Sequence, residues 1–528
     1  MNKTEKICFG ALIFIVTILF FIMPWLMAPD SVTYYGYLKI FRGVLPISAW
    51  DTIRGPVFPL IIYLGTLVFG DNVIGALSIS YCFFLILLIV LFGVLNWLYK
   101  TFPINKTLRI VIDLIIILFI LFNPILFGYF HVLLTEFVAI PIALLSCCIC
   151  WIWYEMDYKK EKVHYILCCL YFVLSFVFLW FLKQPYLSGI LFPLFISIIL
   201  SIIRDRSIQN ILRRIGIFLC CIVCLILSIS LWSNFLLKNG VDYESSTTSQ
   251  DFMVGGVIGG ITNVRFDKNI SSINLDNIKE IEFVSKEEEK IIKEDLSNDG
   301  LLNRTKIIGV ISPSGELIDR MVYSYEGETF SLVDSVKLWF KILIKYPIVV
   351  LDSYFSGYLA TINIYAREFN PDEWHIVKKF SPLSNENRSL GLHYLNDDDN
   401  YDWLRLFFDT SEFENLHSYK LFKLSDNKLI NQYAEFHLVF FKFLYLLLPV
   451  LLVISIIKLF RSRKHISRDT KLYSFSVILL GFAFLHVIFH VFTGAIIDRY
   501  AFVVYPEIIL GIILLIVGRV YEKKTNNE

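Results

Sequence analysis

The chain has 528 residues, of which 56% are hydrophobic, 16% aromatic and only 18% charged, with a mean hydropathy of +0.64. Soluble domains carry about 25% charged residues, and single soluble cores stop growing near 250–300 residues, so this composition excludes a soluble enzyme and a disordered chain. The 48 Lys+Arg against 47 Asp+Glu leave a net charge of +1, which argues against a nucleic-acid partner.

A helix that crosses a membrane needs about 20 mostly apolar residues. Ten segments have that pattern: 7–28, 73–98, 110–128, 133–154, 163–182, 185–203, 211–236, 436–460, 472–493 and 500–519. The first reads as a retained helix, because Met27-Ala28-Pro29 offers no small-x-small cleavage site. The predicted fold is therefore an α-helical polytopic membrane protein of about ten transmembrane helices, with a large extracytoplasmic α/β domain before the last three. It divides into an N-terminal transmembrane module (1–236), an extracytoplasmic domain (237–435) and a C-terminal transmembrane module (436–528).

Lys and Arg in short loops set orientation. Residues such as Lys100, Lys106, Arg109, Arg213, Arg214, Arg461, Lys464 and Lys523 fall in one set of loops. Only Lys39, Arg42, Arg54, Lys183 and Arg499 fall in the other short loops. Both termini are then cytoplasmic and 237–435 lies outside. Ser331–Tyr365 within it reads as an amphipathic helix in the outer interface. All ten cysteines lie in the apolar segments, so the external domain is no disulfide scaffold, and the pairs in helices read as small apolar residues rather than metal sites.

Charges beside apolar helices are functional candidates, because placing one at bilayer depth is costly. Asp30 follows the first helix directly, where its plainer role is an N-cap. The segment from Asp51 through Arg54-Gly55-Pro56 to Gly70 is too short to span and reads as interfacial or re-entrant. Arg54 there is either an interfacial anchor or a fork of donors for phosphate. Glu136 opens the fourth apolar helix, level with Asp30. Two carboxylates facing one cavity share acid–base work or hold a divalent cation, with His131 as a third ligand. Lys183 and Gln184 form the hairpin between two apolar blocks, as a snorkelling anchor or a fixed charge for an anion. Asp498-Arg499-Tyr500 opens the last helix, and His486 and His490 share a face of the one before it. No Walker loop, GxGxxG, HExxH or GxSxG occurs, so the chemistry reads as extracytoplasmic.

Taken in order, Asp30-Ser31-Val32-Thr33-Tyr34-Tyr35, Arg54-Gly55-Pro56-Val57-Phe58-Pro59, Leu134-Thr135-Glu136, Leu182-Lys183-Gln184-Pro185 and Arg499-Tyr500 with Tyr505-Pro506 resemble the GT-C superfamily of polyprenyl-phosphate-sugar-dependent membrane glycosyltransferases. The likeness is to the protein O-mannosyltransferase and lipid A aminoarabinose transferase branch, over about the first 200 and last 100 residues. Ser31 stands where that family often has a second acidic residue, and Gln184 where the relatives have glycine. The resemblance implies inverting transfer of a sugar from a polyprenyl-phosphate donor to an acceptor hydroxyl of a glycan, lipid or protein. Asp30 would be the general base and Glu136 a second functional carboxylate. Arg54, Lys183 and Arg499 would bind the donor phosphate, with Tyr34, Asp51, Gln184 and Tyr500 beside them. No cofactor beyond the lipid-linked donor is implied, a divalent cation being the open alternative. The location would be a bacterial cytoplasmic membrane. The competing readings are an envelope polysaccharide polymerase or ligase and a non-catalytic lipid or sugar transporter.

Overall fold

The computed structural model describes residues 3–22, 29–50, 54–156, 160–205, 208–241, 344, 358, 428–462, 469–492 and 501–527. Nearly all of the expected α/β domain, including the amphipathic helix expected at Ser331–Tyr365 apart from residues 344 and 358, lies outside the described residues. Two compact units are formed. One comprises Met1–Tyr243, Val377–Phe484 and Phe502–Glu528, the other Glu244–Ile376 and Leu485–Ala501. In the second unit, the rings of His486 and His490 meet edge to face at 4.4 Å.

Regular structure among the described residues is helical. Seven helical stretches are long and apolar enough to cross a membrane. They are Val73–Thr101 (short helix α5, Val73–Ser78, running into α6, Ser80–Thr101), Glu136–Glu155 (α9), Lys162–Leu182 (α10), Gln184–Ile203 (a 3-10 turn leading into α11, Ser188–Asp205), Ile211–Lys238 (in α12, Ile208–Lys238), Val439–Ser462 (in α13, Lys428–Ser462) and Thr470–His490 (in α14, Asp469–Phe492). The chain is thus an α-helical multi-pass membrane protein. α9 is buried along most of its length, between α6 and α11. α12 instead exposes Leu212, Leu219, Val223, Leu227 and Leu231, a lipid-facing surface.

The other three of the ten apolar segments are helical as well. The first forms α1 (Lys3–Ile22), a helix of 20 residues. Segment 110–128 is broken into α7 (Lys106–Ile116), a π-helical turn at Ile117–Leu121 and α8 (Pro124–Tyr129). The break has a local cause. Asn123 caps α8, its side-chain oxygen accepting from the Ile125 and Leu126 N–H groups at 2.9 and 3.1 Å, and Pro124 occupies the first helical position. The last, α15 (Tyr505–Asn527), carries Glu507 in its first turn.

The stretch between α1 and α6 folds as short helices: α2 (Pro29–Gly36), α3 (Leu38–Phe41) and α4 (Val57–Phe69). At 1.5 Å per residue α4 is about 20 Å long, well short of the ~30 Å hydrocarbon layer. Gly70 reverses the chain after α4 at φ 122°, a conformation that favours glycine, and Asn72 caps α5 by accepting from Gly75 N at 2.9 Å. An ion pair between Arg42 and Asp71 ties this reversal to the turn after α3.

Helix directions give the bundle two unlike ends. At one end the late residues of α6, α9, α13 and α15 meet the early residues of α12 and α14. There Trp151 stacks on Phe475 at 4.7 Å, with Trp97 4.5 Å from Trp151. Lys458 donates to Glu522 at 2.7 Å, and the Tyr473 hydroxyl donates to the same carboxylate at 3.2 Å. Lys471 lies 3.7 Å from Glu155. Arg214, buried, donates to Ser201 Oγ and to the Tyr154 carbonyl, with its guanidinium 4.8 Å from the Trp153 ring. The opposite end gathers α2, the starts of α4 and α9, and the last turns of α10 and α12.

Candidate functional site

At that second end, aromatic rings join segments far apart in the chain. The Tyr34 ring of α2 meets Phe58 of α4 edge-on at 4.6 Å, and Phe58 lies 5.4 Å from Phe137 in the first turn of α9. Tyr34, Phe58 and Phe137 are all buried. This row fixes the segment that begins with Asp30 against the helix that begins with Glu136.

Arg54 sits above the row. Its guanidinium carbon is 5.0 Å from the centre of the Tyr34 ring, a cation–π arrangement that holds the planar head in place. Its carbonyl accepts the Trp50 indole N–H at 2.9 Å. Trp50 belongs to a further cluster with Tyr37, Leu236 and Val241, and its ring meets Trp232 of α12 at 5.5 Å. The loop is thereby fastened to α12 as well as to α2.

Gly55 closes the connection to the Lys183 hairpin. A methyl group placed on Gly55 would stand 2.8 Å from Phe181 Cα and collide with the Phe181 carbonyl. The two backbones are therefore in contact, two residues before Lys183. Lys183 has an extended backbone (φ −170°, ψ 123°) between α10 and the 3-10 turn Gln184–Leu187, and both Lys183 and Gln184 are half-buried. The last carbonyls of a helix carry partial negative charge, which favours a cation such as Arg54 nearby.

Glu136 is fully buried at the start of α9, and the Thr135 hydroxyl donates to one of its carboxylate oxygens at 3.3 Å. An acidic residue in a first helical turn is favoured by the helix dipole. His131 is also buried, but it turns away from a ligand role. Its Nδ1 lies 2.8 Å from the Phe127 carbonyl and its Nε2 2.7 Å from the Phe20 carbonyl. Burial pushes its pKa down to about 4. The ring lies between α1 and α8, with Phe20 and Phe127 at 4.4 and 4.8 Å, and as a neutral imidazole it donates to one of the two carbonyls at a time. No group of three or more His, Cys, Asp or Glu suited to a metal occurs among the described residues.

Of the expected site residues, Tyr34, Arg54, Glu136, Lys183 and Gln184 are thus on elements that meet at one end of the bundle. Asp30 is the second residue of α2, which the ring row places at the same end. Asp51, Arg499 and Tyr500 lie outside the described residues. Tyr34 serves as the platform under Arg54. Sequence reasoning missed Phe58, Phe137, Trp50 and Gly55; only the Gly-Pro pair at Gly55-Pro56 carried a local signal. It also left Glu507 unassigned. That residue is fully buried, and neither carboxylate oxygen has a hydrogen-bond partner among the described residues. Cys147 and Cys148 of α9 are within electrostatic reach of it.

No protein-family description, curated protein or solved structure matches this chain.

Proposed function

We propose that the protein is an integral-membrane glycosyltransferase that moves a sugar from a polyprenyl-phosphate donor to an acceptor hydroxyl on the extracytoplasmic side. The observation that carries this reading is the convergence of Arg54, the Lys183 hairpin, Glu136 and the Asp30-bearing helix α2 at one end of the bundle. Two cations and two carboxylates at a membrane boundary suit the chemistry. A departing phosphate develops negative charge, which held cations stabilise in a dry site. An acceptor hydroxyl needs a base in hydrogen-bond reach, and a carboxylate serves. Asp30 takes that part. Bond formation at the anomeric carbon from the face opposite the phosphate inverts its configuration, and the acceptor's proton passes to the carboxylate of Asp30. Sidedness follows from the basic residues at the other end, which become cytoplasmic.

The test uses the full-length protein in lipid nanodiscs. Mass spectrometry of lipid co-purifying with the wild type is expected to find a polyprenyl phosphate. Asp30→Asn is expected to retain that lipid and to lose sugar transfer by 10²–10⁴-fold, the range for removing a general base. Full transfer by Asp30→Asn removes Asp30 from the mechanism. A wild type that neither retains polyprenyl phosphate nor transfers sugar from a polyprenyl-phosphate-sugar extract overturns the reading.

A further inference from the structure

Gly55 has no side chain where the Arg54 loop meets the last turn of α10. Glycine is usually required where the backbone is left-handed, as at Gly70, but Gly55 is not among the positive-φ glycines. Its requirement is space. The Phe181 carbonyl occupies the position of any β-carbon, and that carbonyl is backbone, so no rotamer change relieves the collision. Any larger residue must move the whole loop off α10. The loop's other fastenings include the Trp50 indole N–H on the Arg54 carbonyl and the Tyr34 ring under the guanidinium, and neither survives a shift of the loop unchanged.

We propose that Gly55 is a positioning residue: by admitting backbone contact with Phe181, it holds Arg54 and the Lys183 hairpin in a fixed relation, so that both cations act on one anionic group. This rests on the proposed donor site, and the anionic group is a phosphate monoester carried on a lipid. A guanidinium fork and an ammonium point charge make a phosphate site only when their spacing is held, because a misplacement near 1 Å costs about 10²-fold. Gly55 touches no substrate in this scheme. It acts through Arg54.

Gly55→Ala is compared with wild type in nanodiscs, with Gly93→Ala as control, since a methyl at Gly93 in α6 meets nothing within 4 Å. The first readout is the rate at which phenylglyoxal modifies Arg54, followed by peptide mass spectrometry. It is expected to rise at least ~5-fold in Gly55→Ala, as the guanidinium leaves the Tyr34 ring, and to stay at the wild-type value in Gly93→Ala. Equal rates in wild type and Gly55→Ala overturn the proposal. The second readout is transfer against donor concentration. The ratio kcat/KM for the polyprenyl-phosphate sugar is expected to fall ~10-fold or more, because the same cations bind the donor phosphate and stabilise its departure. An unchanged kcat/KM also overturns it. If the wild type shows no transfer, the functional reading fails while the phenylglyoxal comparison still decides the positioning. If Gly55→Ala yields no folded protein, Trp50→Phe replaces it. That change removes one fastening of the same loop without adding an atom, and unchanged Arg54 reactivity there overturns the proposal.

Discussion

The two ends of the bundle treat charge in opposite ways. At the basic end, Lys458 meets Glu522, Lys471 meets Glu155, and Arg214 is enclosed by a hydroxyl, a carbonyl and a tryptophan face. Those charges act on the protein itself, as anchors that set helix depth. At the other end Arg54 is held by a ring and through its own backbone, and Lys183 sits on a hairpin pressed against that backbone. Aromatic contact and close backbone approach take part in that holding.

Substitutions at the two ends should therefore differ in kind. The largest effect is expected from Lys183→Ala: sugar transfer falls by about 10²-fold or more, the scale for losing a group that stabilises developing charge. Lys458→Ala should leave transfer at the wild-type level. Equal losses from both would erase the distinction between the ends.

The next effect is on stability and pH. His131 is pushed down to about 4 from an ordinary 6.5 by burial. The unfolded chain takes up a proton on this residue below pH 6.5 while the folded one does not, so stability is full above that pH and is lost as pH falls from 6.5 towards 4. The residue contributes about 3 kcal/mol at most over that window. Melting curves in nanodiscs from pH 7.5 to 4.5 should show the decline, and His131→Gln should make it shallower. A flat profile would mean that His131 does not lie between α1 and α8 as a neutral ring.

A smaller gain is expected from Glu507→Leu, which removes a buried carboxyl without a partner among the described residues and should raise stability by about 1–3 kcal/mol. If it instead abolishes transfer at unchanged stability, Glu507 belongs with the functional end. The smallest effect is Lys471→Ala. Its pair is half exposed at 3.7 Å, and its loss should shift stability by less than about 1 kcal/mol.

Much of this arrangement was legible in the sequence, for physical reasons. Runs of about 20 apolar residues have few alternatives to a buried helix, and Asp30, Arg54, Glu136 and Lys183 stood out because charges beside such runs are costly. What was not legible is contact between segments distant in the chain. Nothing local in Phe58 or Phe137 says that their rings meet, and nothing in Tyr34 says that it lies under Arg54. The break within segment 110–128 was hidden for another reason. A hydropathy window averages across Asn123-Pro124, whereas the cap and the proline stop one helix and start the next at that pair. The α/β reading of 237–435 and the roles of Asp51, Arg499 and Tyr500 fall on residues outside those described.

The carboxyl at the start of α15 bears on how the protein is made. A buried carboxyl beside an apolar helix is costly to carry into the bilayer, and Glu507 sits in the first turn of α15. That helix is also the last of the described helices to leave the ribosome. By then α9 and α13, against which it packs, are already synthesised. α15 enters a slot lined by α9 and α13, so truncations that remove either should weaken its insertion.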